Sequence, residues 1–413
     1  MREREAESEQ RVTPLELFFD LVFVFAITQV TGYLADNLTW DGLLRGLFLL
    51  GVLWWAWAAY AWLTNTLNPE EGAVRIAVFG SMGAMLIVSL ATPHAFEADG
   101  VVFGIAYLIV RALHLVLYAI AGRGDPELLG AVLRILPSAL LGAVLLVVAG
   151  FLEGPVQLAL WGVALAIDYL WLLVTGMRGW RVSPEHFVER HGLIVIIAIG
   201  ESIVAIGVGA EGLPLDAARI AAALLGIVVA AALWWSYFDW AIYINQARLA
   251  DATGEERAVL ARDLYSYFHL PMVAGIVLFA LGMKTTLGHP DEALDTISAV
   301  GMSGGLALYF AAHVASRLRI GGGWGHGRWI ATIVLLALVP AAKLVPALVA
   351  LALVATVCAA LIAYEAMRYP YARSWIRSHR GAFTMAEASE VTGPGRQGPG
   401  AQPTATDPDP GPS

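Results

Sequence analysis

The chain has 413 residues, of which 58% are hydrophobic and 14% are charged, and its formal net charge at pH 7 is −9. A soluble domain usually carries about 25% charged residues, so this composition excludes an ordinary cytosolic enzyme and a disordered protein. The negative charge argues against nucleic acid as a partner, and a single cysteine, Cys358, excludes a disulfide framework.

Long apolar stretches predict an all-α fold, that of a polytopic helical membrane protein. A helix that crosses the hydrocarbon core needs about 20 mostly apolar residues. We predict twelve spans, at 15–34, 42–63, 73–92, 101–121, 128–151, 155–175, 187–210, 217–244, 264–284, 295–316, 328–343 and 346–367. Span 11 is short and carries Pro340 and Lys343, which leaves eleven or twelve crossings open.

The remaining segments are short, apart from one connection and the C-terminus. Residues 245–263 form the longest internal connection, which is either a short interfacial helix or a solvated linker. Residues 381–413 are rich in Pro, Gly, Ser and Thr, and we expect them to be a disordered tail.

The placement of arginine predicts that both termini lie in the cytoplasm. Arginines occur in the N-terminal segment, in the loops after even-numbered spans and after span 12. The loops at 93–100, 152–154, 211–216 and 285–294 contain neither lysine nor arginine. Cytoplasmic loops are enriched in positive charge, so the asymmetry fixes the orientation and supports an even number of spans.

The two halves of the chain resemble each other. Both first spans begin with a hydroxyl residue followed by proline, which is a favourable helix start. The corresponding features are Thr13-Pro14 and Ser183-Pro184, LVFVFAITQV (21–30) and LIVIIAIGES (193–202), Trp54-Trp55 with Asn65 and Trp234-Trp235 with Asn245, and His114 and His313. The alternative is chance similarity between apolar helices.

This duplication predicts the domain organisation. We expect a cytoplasmic N-terminal segment at 1–12, one six-helix half at 13–176, a second at 177–368 and a cytoplasmic C-terminal segment at 369–413. Six spans per half give both halves the same orientation, so a pseudo-twofold axis should lie along the membrane normal.

Ionisable residues within spans are functional candidates because an unpaired charge in hydrocarbon is costly. Glu201 lies near the middle of span 7, opposite Gln29 in the repeat alignment, and Ser202 follows it. Glu201 is predicted to be a proton relay or cation ligand, or alternatively a structural partner between helices. Arg111 lies near the middle of span 4 and needs a carboxylate, for which Glu201 and Asp168 are both within reach.

A second polar group is predicted nearer the cytoplasm. Glu16 and Asp20 share one face of span 1 because they are four residues apart. The other members are four residues at the entry to span 7, His186, Glu189, Arg190 and His191, and five at similar depth, His114, Asp168, Asp239, His313 and Glu365. We interpret the group as a vestibule with ion-paired walls. No ligand spacing such as HExxH supports a metal site, and neither a cofactor motif nor an enzyme active site is predicted.

The segments TPLELFFDLVFVFAITQ (13–29) and HFVERHGLIVIIAIGESIVAIG (186–207) resemble the bacterial low temperature requirement A family. The resemblance covers roughly residues 12–370 and implies a multi-pass membrane protein named for a cold-growth phenotype. The positions that match the family's polar motifs are Glu16, Asp20, Glu189, Arg190, His191, Gly192, Gly200, Glu201 and Ser202. The family supplies no known substrate or reaction.

These observations lead to one main hypothesis and two alternatives. The main hypothesis is a proton- or cation-coupled transporter in the inner membrane that moves an unidentified small solute or ion. Glu201 and Gln29 would flank its midplane site, with Arg111 as the charge partner. The alternatives are a structural or sensory membrane protein in cold adaptation and, third, an intramembrane enzyme that acts on lipid.

Overall fold

The computed structural model describes residues 11–379 and 382–392, and over these ranges it is built of helices. The helices are α1 (Pro14–Asp36), α2 (Trp40–Thr64), α3 (Gly72–His94), α4 (Gly100–Ala121), α5 (Pro126–Ala149), α6 (Gly154–Thr175), α7 (Pro184–Gly209), α8 (Ala217–Asp251), α9 (Gly254–Gly288), α10 (Thr296–Arg319), α11 (His326–Ala342), α12 (Ala347–Arg368), α13 (Pro370–His379) and α14 (Met385–Thr392). Helices α1 to α12 coincide with the predicted spans. All but α11 are long and apolar enough to cross a membrane, which confirms a multi-pass helical membrane protein.

Helix α11 has only 17 residues, yet its neighbours place its two ends at opposite faces of the bundle. Arg328 near its start bonds to Glu365 near the end of α12. The start of α12 bonds instead to the loop after α9, where Ala347 N donates to Glu292 O at 2.7 Å. At 1.5 Å per residue, α11 is about 25 Å long. Helix α11 therefore runs antiparallel to α12 along the bundle, and a twelfth crossing by α11 stays a prediction.

The segment 245–263 is helical on both sides of a short break. Helix α8 continues to Asp251 after an interruption at Asp239 and Trp240, and α9 begins at Gly254 with a φ of +52°. Residues 262–267 form a π-helical stretch inside α9, a feature that often marks functional positions. The segment is therefore not a solvated linker, and its location at the membrane interface stays a prediction.

Helices α1 and α7 pack side by side and run in the same direction. Glu16 near the start of α1 contacts His186 near the start of α7. Further along both helices, Thr28 contacts Glu201. Two contacts in the same order along both helices define a parallel pair. This direction is expected when six membrane crossings lie between the start of α1 and the start of α7.

The third helix of each predicted half is parallel to the first. For α1 and α3, the contacts that define the direction are Phe18–Phe79 and Tyr33–Phe96, of which Phe96 directly follows α3. For α7 and α9, they are Phe187–Tyr265 and Gly209–Leu287. In both halves the second helix also packs on the sixth, and the fourth on the fifth.

The C-terminal segment is helical where its composition predicts disorder. Thr384 and Glu387 form a capping box at the start of α14, with the Thr384 N–H donating to Glu387 Oε2 at 2.7 Å. Phe383 and Ala388 pack with Trp240 in a small apolar cluster. A few local apolar and capping residues are therefore sufficient to order this stretch beside α8. Residues 1–10, 380–381 and 393–413 lie outside the described residues, so the rest of the predicted tail stays a prediction.

Helices α9 and α10 meet at two glycines, which gives a stability prediction. A Cβ atom at Gly305 would lie 2.6 Å from the carbonyl oxygen of Gly275 and 3.0 Å from the backbone nitrogen of Phe279. We expect Gly305→Ala to lower the free energy of unfolding by about 1–3 kcal/mol, because α10 must move away from α9. Thermal unfolding in detergent measures this effect.

Gly207 in α7 is the matched control, because a Cβ there meets nothing within 4 Å. Gly207→Ala should be neutral or stabilise by up to about 1 kcal/mol through helix propensity. Equal melting temperatures for both variants would contradict the close approach of α9 and α10.

Candidate functional site

The strongest candidate site is a buried ion cluster between α1 and α7, formed by Glu16, Asp20, His186 and Arg190. Glu16 and Asp20 are one turn apart on α1, and His186 and Arg190 are one turn apart on α7. Arg190 Nη2 donates to Asp20 Oδ1 at 3.0 Å, and Arg190 Nη1 lies 3.6 Å from Glu16 Oε1. His186 Nε2 lies 3.1 Å from Glu16 Oε1. All four side chains are at most 1% exposed.

Helix α2 holds the cluster in place. The indole N–H of Trp57 donates to Asp20 Oδ1 at 2.9 Å, and the Trp57 ring lies 5.8 Å from the guanidinium carbon of Arg190. Asn65 at the end of α2 accepts from Ser183 N at 2.8 Å, so its amide nitrogen is free to donate to His186 Nδ1 at 3.0 Å.

This geometry assigns the protonation state of His186. Because Nδ1 accepts from Asn65, the ring proton lies on Nε2 and is donated to Glu16, so the imidazole is neutral. The ion cluster then holds two carboxylates and one guanidinium. With both carboxylates ionised, it is one positive charge short.

Several polar atoms of the cluster are buried without a hydrogen-bond partner among the residues that the structure describes. They are Asp20 Oδ2, Arg190 Nε, Arg190 Nη1 and Glu16 Oε1, the last of which lies near His186 Nε2 without hydrogen-bond geometry because His186 donates to Oε2. A cavity of about 10 Å³ borders Glu16 and Arg190. That space is enough for about one water molecule or a small cation. The cluster therefore combines missing positive charge, free acceptors and a small space.

Glu201 lies deeper along the same helix pair. Thr28 Oγ1 donates to Glu201 Oε2 at 2.7 Å, and the residue is 3% exposed. Gln29, which the repeat alignment places opposite Glu201, is half-buried beside Thr28. Ser202 Oγ donates to Ile199 O within its own helix at 2.6 Å.

Arg111 pairs with Asp168 rather than with Glu201, so the predicted midplane residues belong to two separate places. Arg111 Nη2 lies 3.4 Å from Asp168 Oδ1, across α4 and α6. Both line a cavity of about 50 Å³ together with His114 and Tyr118. Within the described part of the chain, Arg111 Nε and Nη1, His114 Nδ1 and the Tyr118 hydroxyl have no hydrogen-bond partner.

The other predicted cytoplasmic residues do not form one vestibule. Glu189 is exposed and accepts from Val12 N, Asp239 pairs with Arg373 and Arg377, and His313 accepts from Arg328. His191 lies among aromatic rings, with Trp57 at 5.0 Å and His269 at 5.4 Å between ring centroids. Its Nδ1 donates to Phe187 O at 2.8 Å.

The sequence did not predict the neutral side chains that form hydrogen bonds with Asp20, His186 and Glu201. Trp57, Asn65 and Thr28 complete the polar contacts of α1 and α7. The asparagine that recurs after the tryptophan pair was a signal for Asn65. Nothing in the sequence distinguished Thr28 from Gln29. Arg328 was also missed, because an arginine at the start of a span is typical of a loop charge.

Comparisons with known proteins agree on one family. The profile described as "Bacterial low temperature requirement A protein (LtrA)" matches residues 11–363. An uncharacterized protein of Rhizobium meliloti (strain 1021) is 30% identical over 315 residues, which cover 72% of this chain and 74% of that protein. No solved structure matches the chain. The resemblance predicted from the motifs at 13–29 and 186–207 is confirmed.

The ion cluster predicts a strong stability effect at Arg190. Arg190→Gln leaves Asp20 and Glu16 without their guanidinium, and breaking a buried pair from one side costs about 3–5 kcal/mol. We therefore expect a large loss of stability when the detergent-solubilised protein is unfolded with increasing SDS.

Arg248 provides a control with the same change of charge. Its pair with Glu256 at 2.7 Å is partly exposed, so Arg248→Gln should cost no more than about 1 kcal/mol. If Arg190→Gln were as mild as Arg248→Gln, the cluster would not hold α1 and α7 together.

Proposed function

The chain belongs to the bacterial low temperature requirement A family, and on this premise we propose that it is a proton- or cation-coupled membrane transporter. The coupling ion binds at the ion cluster between α1 and α7. The observation that carries this proposal is the missing positive charge among Glu16, Asp20, His186 and Arg190. A buried site with two carboxylates and one guanidinium is stable only when a proton or a cation completes it.

The polar groups of α1 and α7 support a path along this helix pair. Arg190 and Glu201 are eleven residues apart on α7, which corresponds to about 16 Å along the helix. Ile194 and Ala198, which lie between them, are buried and apolar. An ion would therefore pass from the cluster to Glu201 only when the helices move. Small residues such as Ala198 and Ala205 permit such sliding.

The contacts across α1 and α7 also support the proposed duplication. The segments 21–30 and 193–202 align with a constant offset, and nearly the same offset relates Asp20 to Arg190 and Thr28 to Glu201. Corresponding positions of two halves meet where a twofold axis passes between parallel helices. The ion cluster would then lie on the pseudo-twofold axis, where transporters of repeated halves alternate in access.

We propose that the cavity at Arg111 receives the transported solute. Its free Arg111 N–H groups and the Tyr118 hydroxyl suit a small solute that carries hydrogen-bond acceptors. Trp55 and Trp62 form apolar walls. The cavity is lined mainly by helices of the first half, including α4 and α6, and on one side by Ser266 of α9. Solute and coupling ion would therefore occupy different places.

We also propose that the protein lies in the inner membrane with both termini in the cytoplasm. The arginine-poor loops at 93–100 and 211–216 would then face outward. Accessibility of cysteines introduced at Glu97 and Arg123 to an impermeant thiol reagent measures this orientation in intact cells. Labelling at position 123 alone would contradict it.

Cation–proton exchange in proteoliposomes tests the coupling site. We expect sodium or potassium, added outside vesicles with an acidic lumen, to release protons from the lumen, which a pH-sensitive dye reports. Glu16→Gln and Asp20→Asn should each slow this release at least about tenfold, because one carboxylate alone balances Arg190. Glu256→Gln, at a solvated pair, should behave as wild type.

A second arm adds small carboxylates such as formate or acetate, which match a cavity of about 50 Å³, and records solute-dependent proton movement. Failure of both arms, with folded protein in the vesicles, would contradict the transporter and favour a structural or sensory role. Flux that is unchanged in Glu16→Gln and Asp20→Asn would instead remove the ion cluster from the mechanism.

Glu201 is tested separately from the cluster. In Glu201→Gln, the amide oxygen can still accept the hydrogen bond from Thr28, but the negative charge is lost. We therefore expect a slower flux with a changed pH dependence. Thr28→Val removes the hydrogen bond and keeps the charge, and it should alter the pH profile while preserving flux. Equal pH profiles for wild type and Glu201→Gln would remove this carboxylate from the path.

A further inference from the structure

A second cavity of about 50 Å³ lies away from the ion cluster, where α8, α10 and α11 meet. The polar and aromatic side chains that line it are Trp240, Asn245, His313, Ser316, Arg317 and Arg328. Neither the sequence motifs nor the proposed transport path assigns a role to this cavity.

The hydrogen bonds around His313 fix its tautomer. Arg328 Nη1 donates to His313 Nδ1 at 3.0 Å. A guanidinium cannot accept a hydrogen bond, so Nδ1 is the acceptor and the ring proton lies on Nε2. Among the residues that the structure describes, that Nε2–H group has no partner, although His313 is only 4% exposed. The cavity therefore has a buried donor without an acceptor.

Two further donors share this condition. The indole Nε1 of Trp240 and the hydroxyl of Ser316 are buried at the same cavity and have no partner in the described ranges. Trp240 Nε1–H can only donate, and Ser316 can donate as well as accept. Three unpartnered donors at one cavity call for a ligand with acceptor atoms.

The charges at the cavity have the sign that such a ligand requires. Glu365 is occupied by Arg328, which donates to both of its oxygens at 2.7 and 3.2 Å. Asp239 is occupied by Arg373 and Arg377.

Arg317 is the remaining cation at this cavity. Its guanidinium lies 5.6 Å from the centre of the Trp240 ring, and its Nε donates to the backbone oxygen of Gly323 at 2.8 Å. Over residues 11–379 and 382–392, no ion pair joins Arg317 to a carboxylate. One positive charge is therefore left over beside the three donors.

We propose that this cavity binds a small monovalent anion, a halide or a small carboxylate or nitrate ion. The anion accepts hydrogen bonds from His313 Nε2, Ser316 Oγ and Trp240 Nε1, and Arg317 balances its charge. A cavity of about 50 Å³ is far smaller than the engineered cavities of about 150 Å³ that bind benzene, so its occupant has few atoms. The bound anion joins α8, α10 and α11 on the side where α13 docks.

Thermal unfolding of the full-length protein in detergent tests the anion site. Sodium gluconate is replaced stepwise by sodium chloride, nitrate or acetate at constant sodium concentration, and tryptophan fluorescence reports unfolding. A ligand that binds only the folded protein raises its melting temperature saturably. We expect such a rise for wild type with at least one of the three anions.

Variants at the cavity distinguish binding from a general salt effect. Arg317→Gln should raise the half-saturating anion concentration about tenfold or more, as expected when a charged hydrogen-bond donor is lost. Ser316→Ala and Trp240→Phe should each raise it about threefold or more, because each removes one neutral donor. Trp240→Phe removes the indole N–H while it keeps an aromatic side chain, and thus tests the site even if Arg317→Gln does not fold.

Two matched controls complete the experiment. Ser89→Ala makes the same change at a buried serine of α3 whose hydroxyl donates to Met85 O within its own helix at 2.8 Å, and Arg248→Gln removes one positive charge from a partly exposed pair. Both should respond as wild type. Equal melting temperatures in gluconate and all three anions, or an equal response in wild type, Arg317→Gln and Trp240→Phe, would overturn the proposal.

Discussion

A charged side chain in the hydrocarbon core needs a partner, and this constraint organises the interior of the bundle. Arg111 and Asp168 join α4 to α6, and Arg328 and Glu365 join α11 to α12. Each of these pairs fixes the relative position of two helices. The hydrophobic effect alone cannot do this, because lipid tails are as apolar as the helix surfaces. The cluster between α1 and α7 differs, because its two carboxylates exceed its one guanidinium. It therefore joins α1 to α7 while part of its negative charge stays uncompensated by side chains of the cluster.

The helices and the first members of the site could be predicted because hydropathy and helical spacing are local properties. Glu16 and Asp20 were placed on one face by their four-residue separation, and Arg190 was recognised by its depth. The partner of Arg111 could not be chosen between Asp168 and Glu201. That choice depends on which helices are neighbours, and the spacing of residues within one helix does not contain this information.

The same limit applies to Thr28 and Gln29. Consecutive helical residues point about 100° apart, so a small rotation of α1 decides which of them faces Glu201. The repeat alignment identifies the turn of α1 that faces Glu201, but it selects Gln29 where Thr28 makes the contact. Arg328 is another case, since only packing against α12 shows that an arginine at a span end is buried with Glu365.

The three polar cavities differ in charge although all lie between transmembrane helices. The α1–α7 cluster has excess negative charge, the cavity of Arg111 holds a matched pair, and the cavity of Arg317 has excess positive charge. Under the proposed duplication, His114 and His313 are counterparts. His114 has its Nδ1 unpartnered, whereas His313 has its Nε2 unpartnered among the described residues. Under that duplication, the two cavities are counterparts that differ in net charge and in which ring nitrogen of the histidine is left unpartnered.

Glu16 has two tasks at once, which links the occupancy of the cluster to the beginning of the chain. Its Oε2 accepts from the backbone N–H of Thr13 at 2.8 Å, which closes the first turn of α1, while the same carboxylate faces His186. An ion that attracts this carboxylate therefore competes with the helix cap. If the proposed ion binds there, its charge would act directly on the first turn of α1, because one carboxylate both caps that turn and belongs to the cluster.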